Sequence, residues 1–435
     1  MQLHSAYLAG WVQPADVFVQ FYAGEPAAFW FDREFASQDQ FSILGAGNPI
    51  PDSRVTNRDE IAISLARMAY QAGSELPFAW RPGLVGSLSY EGQENFIEAS
   101  RAIVFDHQAQ GMYFVGLFEN QGDFDFWHHA ALLRLGLSGG QVANYLHGQP
   151  AQPNAVAAAL RHSEADYLAM IETAQHHIAI GDVYQVCLTN ELTLETAEDP
   201  LAVFLRLRKT NPAPYSAFMK FGDLAVASSS PEQFLKVSAS GEVSTKPIKG
   251  TRPRGLTPDA DASIALELQS DAKERAENLM IVDLMRNDIG KVSRVGTVSV
   301  PKLFDIESYA TVHQLVSTVT GQLEDSESSW SAVLAAFPGG SMTGAPKIRA
   351  MQIIQDLEKG PRGIYSGCFG YVAADGSAEF AMTIRTIVFK DGVATIGVGG
   401  GITIDSDPKA ELEETKLKAK ALLAALNAAD PGLDW

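Results

Sequence analysis

The chain has 435 residues, with 33 basic and 52 acidic side chains, a net charge of −19 and a pI near 4.9. That acidic excess disfavours binding to nucleic acid or to an anionic membrane, because both would repel it. With 46% hydrophobic and 20% charged residues the composition is that of a folded globular protein, which excludes extended disorder, and at ~150 residues per domain the length allows about three domains or one large α/β body.

At the start, residues 1–5 lack the basic and apolar regions of a signal peptide. No stretch of the chain approaches the ~18 apolar residues of a membrane-spanning helix, so a cytoplasmic location is expected. Short strand-like runs with aromatics follow, such as Ala6-Tyr-Leu-Ala-Gly-Trp11 and Met112-Tyr-Phe-Val-Gly-Leu-Phe118, broken by Gly, Asn, Pro and Asp. Residues 1–150 are therefore expected to form a sheet-rich N-terminal subdomain. Gly148-Gln-Pro-Ala-Gln-Pro-Asn154 reads as a linker into a second unit over 151–430. Ser163 followed by Asp166 resembles a capping box with Asp in place of Glu, and Tyr167, Ile171, Ala174 and Ile178 recur at helical spacing up to Gly181. Cys187 and Cys368, the two cysteines, form no CxxC pair and suggest neither a disulfide framework nor a thiolate metal site. Strand-like runs occur at 183–188, 217–220, 224–228 and from 363 to 404, and helical patterns at 271–286, 345–358 and 409–427. Strands arriving in runs, with helices between them, point to antiparallel or mixed sheets rather than βαβ alternation.

Five segments have residue types that can carry chemistry. On the 409–427 helix, Glu411, Glu414 and Lys418 fall at the edge of an apolar stripe of Leu412, Ala419, Leu422, Leu423 and Leu426, opposite the wet face of Glu413, Lys416 and Lys420. On the 271–286 helix, Glu274 and Glu277 share a stripe with Ile281 and Leu284. Two inward-leaning carboxylate pairs are either solvated helix faces with i,i+4 ion pairs or the two halves of a cation site, and oxygen-only ligands would favour Mg²⁺. Gly339-Gly-Ser-Met-Thr-Gly-Ala-Pro-Lys347 reads as an anion-binding turn opening a helix, but it is no Walker loop. Gly397-Val-Gly-Gly-Gly401 is either a glycine bulge or backbone that a ligand can approach closely. Pro247-Ile-Lys-Gly-Thr-Arg-Pro-Arg-Gly255 concentrates positive charge and reads by default as a solvated basic loop.

Together, Pro247-Ile-Lys-Gly-Thr-Arg-Pro-Arg254, Glu277-Asn-Leu-Met-Ile-Val-Asp-Leu-Met-Arg-Asn-Asp288, Gly340-Ser-Met-Thr-Gly-Ala-Pro-Lys347 and the 405–418 segment with its glutamates resemble the chorismate-binding enzymes. The resemblance is strong over about 165–425 and weak over the first 150 residues. It implies an α+β fold of large mixed or antiparallel β-sheets flanked by helices, as in anthranilate synthase component I. Lys249 stands where anthranilate synthases usually carry Ala, which resembles the aminodeoxychorismate synthase component I branch, where this Lys is a nucleophile toward the substrate ring. Relatives that add water carry a Lys general base at the position of Gln185, and a carboxamide cannot take up a proton. Glu232, in Ser230-Pro-Glu-Gln-Phe234, matches the family's general acid.

By the same resemblance, His313 and Thr343 stand near the substrate's C4 hydroxyl. Thr251, Tyr365, Arg385, Lys418 and the backbone at Gly400 and Gly401 bind its acid groups, and Glu274, Glu277, Glu411 and Glu414 hold Mg²⁺. The reaction implied is conversion of chorismate and ammonia to 4-amino-4-deoxychorismate for 4-aminobenzoate and folate synthesis. No glutaminase-type Cys is present, so a separate glutamine amidotransferase subunit is implied as ammonia source. The competing expectations are anthranilate synthase component I and a non-catalytic chorismate- or amino-acid-binding regulatory subunit. Phe29-Trp-Phe-Asp-Arg33 and Asn211-Pro-Ala-Pro-Tyr-Ser216 depart from the family's tryptophan-feedback motif, so that control is not implied.

Overall fold

Alternating apolar positions build two large sheets. The computed structural model describes residues 1–34, 40–50, 58–70, 75–149, 157–309 and 312–428. The first sheet runs in the order Gln2–Leu8, Gly111–Phe118, Arg101–Asp106, Phe41–Ala46, Ala27–Asp32, Tyr215–Phe221, Leu224–Ser230, Thr386–Lys390, Val393–Ile402, Gln185–Glu195 and Gly344–Ala345. The second runs Ile248–Pro253, Val312–Gln322, Glu242–Thr245, Gln233–Val237, Ala378–Met382, Cys368–Ala373, Gly83–Leu88, Glu94–Ala99 and Asn48–Pro49. Neighbours pair antiparallel, for example Leu188 with Gly400 and Lys249 with Leu315. Both sheets hold strands from either side of the 148–154 passage, of which 150–154 lie outside the described residues.

Phe29, Val104 and Val226 of the first sheet share one buried cluster with Val85, Ile97 and Phe369 of the second, so the sheets meet face to face. The far face of the first sheet is covered by helices that bring Phe18, Phe204 and Leu422 against Trp30. On the far face of the second, Ile281, Met285 and Trp330 pack with Phe380. Strands such as Ala27–Asp32 and Gly83–Leu88, buried along their whole length, follow from this layering.

Local signals set the helix starts. Ser163 accepts from the Asp166 amide, its hydroxyl donates to the Asp166 carboxylate at 2.7 Å, and the helix Glu164–Ala179 follows. Asp271 caps Ala272–Gly290 and Asp407 caps Pro408–Ala425 in the same way. A further helix, Pro258–Ser270, has Thr257 as its cap and Pro258 in its first turn. Only Leu268 of that helix is buried, so it carries no apolar stripe to announce it, although its start signal is plain.

Candidate active site

Strand ends from both sheets converge beside the 272–290 and 408–425 helices. Lys249 projects from Ile248–Pro253 with its Nζ 3.5 Å from Glu277 Oε2. A Cβ built on Gly401 would lie 3.1 Å from that Nζ and against the carboxamide of Gln185, so all three groups border one space. Gln185 is 1% exposed, and among the described residues neither its oxygen nor its nitrogen has a hydrogen-bond partner. A buried, unpartnered amide is costly, which marks it as aimed at something that binds. Burial pulls the Lys249 ammonium down, but Glu277, with Cys187 and Glu232 beyond it, outweighs burial and holds it above the ordinary lysine range.

Glu232, in the turn before Gln233–Val237, is 7% exposed. Burial lifts its carboxyl to about 7, against the lowering pull of the Ser341 hydroxyl and Lys249. A carboxyl poised there can give or take a proton at neutral pH.

Two of the four glutamates share a cation, and the other two have one each. Glu277 and Glu411 converge on one ammonium, that of Lys273, at 3.9 and 4.0 Å. Glu274 is 3.3 Å from Arg252, and Glu414 is 2.8 Å from Lys418. Burial raises Glu411 despite the Ser406 hydroxyl, and burial with the charge of Glu277 raises Glu274. For Glu414 burial also pushes upward, but Lys418 wins and its carboxyl is lowered. Among the described residues no three His, Cys, Asp or Glu side chains form a metal cage. The donor set nonetheless suits a hard cation: carboxylates from two helices already face a shared positive charge, with Lys273 standing in.

Lys418 also donates to the Gly399 carbonyl at 2.7 Å, and a Cβ at Gly400 would meet Glu411 and Lys418 at 3.1 and 3.6 Å. The Gly397–Gly401 run is thus strand backbone left bare next to charged groups. Tyr365 packs its ring against Gly397, and burial lifts its hydroxyl far above the ordinary range. Arg385, at φ 51°, lies within the fields of Tyr365 and Glu414. These groups belong to the Lys249 cluster.

Two expected residues spend their side chains on other partners, and a third is exposed. His313 Nε2 is 2.9 Å from Asp261 and its Nδ1 is 2.8 Å from Ser308, which ties the ring to the 258–270 helix. The Thr343 hydroxyl donates to the carbonyls of Gly339 and Gly340 inside its own turn. Thr251 is exposed, one residue past the bulge at Gly250. Nor is the basic segment a solvated loop: Arg252 and Arg254 bind Glu267, Asp271, Glu274 and Asp261. The 339–347 turn spends its lysine structurally, with Lys347 bonded to Asp288 and to the carbonyls of Ala336 and Pro338, so it offers no free cation to an anion. Sequence reasoning missed Ser341, Lys273 and the buried pair Glu358–Arg362. Only Lys273, next to a glutamate already singled out, left a local signal.

A second cavity of about 380 Å³ has walls of Phe78, Trp80, Tyr215 and Ile248 with Arg33 among them. There the 29–33 and 211–216 segments meet, Arg33 donating to the Ser216 carbonyl. Ile248 and Gln233 line it, while their neighbours Lys249 and Glu232 face the first site.

A family model described as chorismate binding enzyme matches residues 30–424. The aminodeoxychorismate synthase of Streptomyces griseus is 45% identical over 375 residues, covering 82% of this chain and 52% of that protein. That of Streptomyces pristinaespiralis is 41% identical over 460 residues, covering 95% and 64%. The chain thus spans about half to two thirds of the length of these relatives. Among solved structures, anthranilate synthase component I from Streptococcus pneumoniae TIGR4 superposes with a TM-score of 0.72 at 30% identity, over 88% of this chain and 92% of that one.

Proposed function

From the premise that the chain belongs to the chorismate-binding enzymes, we propose that it is an aminodeoxychorismate synthase, turning chorismate and ammonia into 4-amino-4-deoxychorismate. The observation that carries this reading is the Lys249 amine, set among Glu232, Gln185, Glu277 and Gly401. Its products feed 4-aminobenzoate and folate synthesis, and a glutamine amidotransferase supplies the ammonia. Both cysteines are buried, which agrees with that division of labour.

In the proposed mechanism, Tyr365, Arg385 and Lys418 with the bare backbone at Gly400 and Gly401 bind the substrate's carboxylates. Glu277 holds Lys249 as the ammonium, so the amine must first lose a proton. Glu232, poised about 7, accepts it. Neutral Lys249 then adds to C2 of the ring as the C4 hydroxyl leaves, protonated by Glu232, as water. Ammonia attacks C4, the allylic system shifts back, and the Lys249 amine is released to take the surplus proton from the new ammonium. Two displacements restore position and configuration at C4. The carboxamide of Gln185 lends its hydrogen bonds to these groups without taking up a proton.

Glu277, Glu411 and Glu414, with Glu274 behind them, would hold Mg²⁺. Bound there, the ion supplies positive charge to the ring carboxylate of a substrate that a chain of net charge −19 repels. Glu414→Gln should raise the Mg²⁺ concentration for half-maximal activity by at least about tenfold. An unchanged magnesium titration would remove Glu414 from the set. Gly401→Ala places a methyl against Gln185 and Lys249, and overpacking of this kind should raise the KM for chorismate about tenfold. Mass spectrometry of the products from chorismate, ammonium and Mg²⁺ tests the whole reading. Anthranilate as sole product would assign the second branch of the family, and no product at all a binding subunit.

A further inference from the structure

Behind the Lys249 cluster lies a buried ion pair to which the proposed mechanism gives no role. Glu358 ends the helix Lys347–Glu358 and is 1% exposed; Arg362, in the loop that follows, is 4% exposed. The guanidinium grips the carboxylate side-on through one edge, Nη2 to Oε1 at 2.7 Å and Nε to Oε2 at 2.8 Å. Its other donors reach two carbonyls and a hydroxyl: Nη1 to Met342 O at 2.6 Å and to Ser366 Oγ at 3.4 Å, and Nη2 to Cys187 O at 2.8 Å. Glu358 Oε1 in turn accepts from the Thr189 amide at 2.8 Å. Tyr90 covers the guanidinium, 4.6 Å from its ring centroid. Glu91 accepts from the amides of Arg362 and Gly363, which pins the loop itself.

Each anchored segment bears a residue of the proposed site. Cys187 and Thr189 lie on the strand that begins at Gln185, Met342 follows Ser341, whose hydroxyl bonds Glu232, and Tyr365 follows Arg362 in the same loop. We propose that the Glu358–Arg362 pair is the positioning device of the active site, fixing these three backbone segments relative to one another. The proposal rests on the function assigned above. A buried ion pair gains little stability over apolar residues of the same volume, because desolvation offsets attraction. A planar fork that reaches two separate carbonyls does fix angles, and a lysine at the same place keeps the charge without the fork. Orientation, not stability, is what this pair supplies.

The double variant Glu358→Met with Arg362→Met removes both charges together, and Arg362→Lys removes the fork alone. Both should melt cooperatively as the wild type does. The double variant should lose about 10²-fold in kcat, the scale of a slight misplacement of reacting groups, with KM for chorismate changed far less, and Arg362→Lys should fall between. Hydrogen exchange should quicken at 185–189 and 341–344 in the double variant. Wild-type kcat in a folded double variant would overturn the proposal, and so would loss of cooperative melting in both, since the pair would then serve stability. If the wild type itself fails to consume chorismate, the assigned function falls. Exchange at 185–189 and 341–344 then decides the positioning role, and unchanged protection would end it.

Discussion

Lys249→Ala should lower formation of 4-amino-4-deoxychorismate by at least about 10³-fold while leaving the protein folded. The loss follows from where the amine stands: 3.5 Å from Glu277, with Glu232, Gln185 and the bare backbone of Gly401 around it. Without it ammonia has two routes. Direct displacement of the C4 hydroxyl lacks the covalent intermediate that splits one hard step into two. Entry at C2 instead would turn the variant toward anthranilate. The fold survives because Glu277 keeps Lys273 at 3.9 Å, so its carboxylate is not left alone, and because the space vacated borders the site rather than the core. Product mass spectrometry with a melting curve checks both halves. Wild-type rates in the folded variant would remove Lys249 as nucleophile.

How much of this was legible depended on the range of the interaction. Helical spacing placed Glu411, Glu414 and Lys418 at the edge of the buried face; the helix Pro408–Ala425 buries Glu411 to 7% exposure and half-buries Lys418, but leaves Glu414 outside with Glu413. The runs of strands without alternating helices pointed to the antiparallel ladders. The pairing of Ala27–Asp32 with Tyr215–Phe221 was not legible, since alternation specifies a buried face but not which distant strand shares it. The same limit hid Arg362, whose acceptors Met342 and Cys187 lie 20 and 175 residues away. It also hid Asp261, which holds His313 from a helix that the reading passed over. The 339–347 segment read as an anion-binding turn because Asp288, which engages its Lys347, sits 59 residues back.

Glu232→Gln should separate catalysis from stability. A carboxyl lifted from 4.5 to about 7 on folding destabilises the native state wherever it is ionised. The sign follows from linkage: stability associated with this group is fully present below its unfolded value of 4.5 and is lost as pH rises through about 7. At pH 8 the wild type therefore carries a buried charge against it worth about 3 kcal/mol. Glutamine carries none, so the variant should be more stable than wild type at pH 8 by up to that amount, and the advantage should vanish by pH 4. Activity should move the other way. A carboxamide can neither relieve Lys249 of its proton nor protonate the departing hydroxyl, and the rate should fall by about 10²–10⁴-fold. The wild-type kcat/KM profile should bend near pH 7, and that bend should be missing in the variant. Denaturant unfolding at the two pH values and the profile test the same carboxyl independently. If Glu232→Gln were no more stable at pH 8 than at pH 4 relative to wild type, Glu232 would not be held in its acid form by burial, and its role as proton carrier would lose its physical basis.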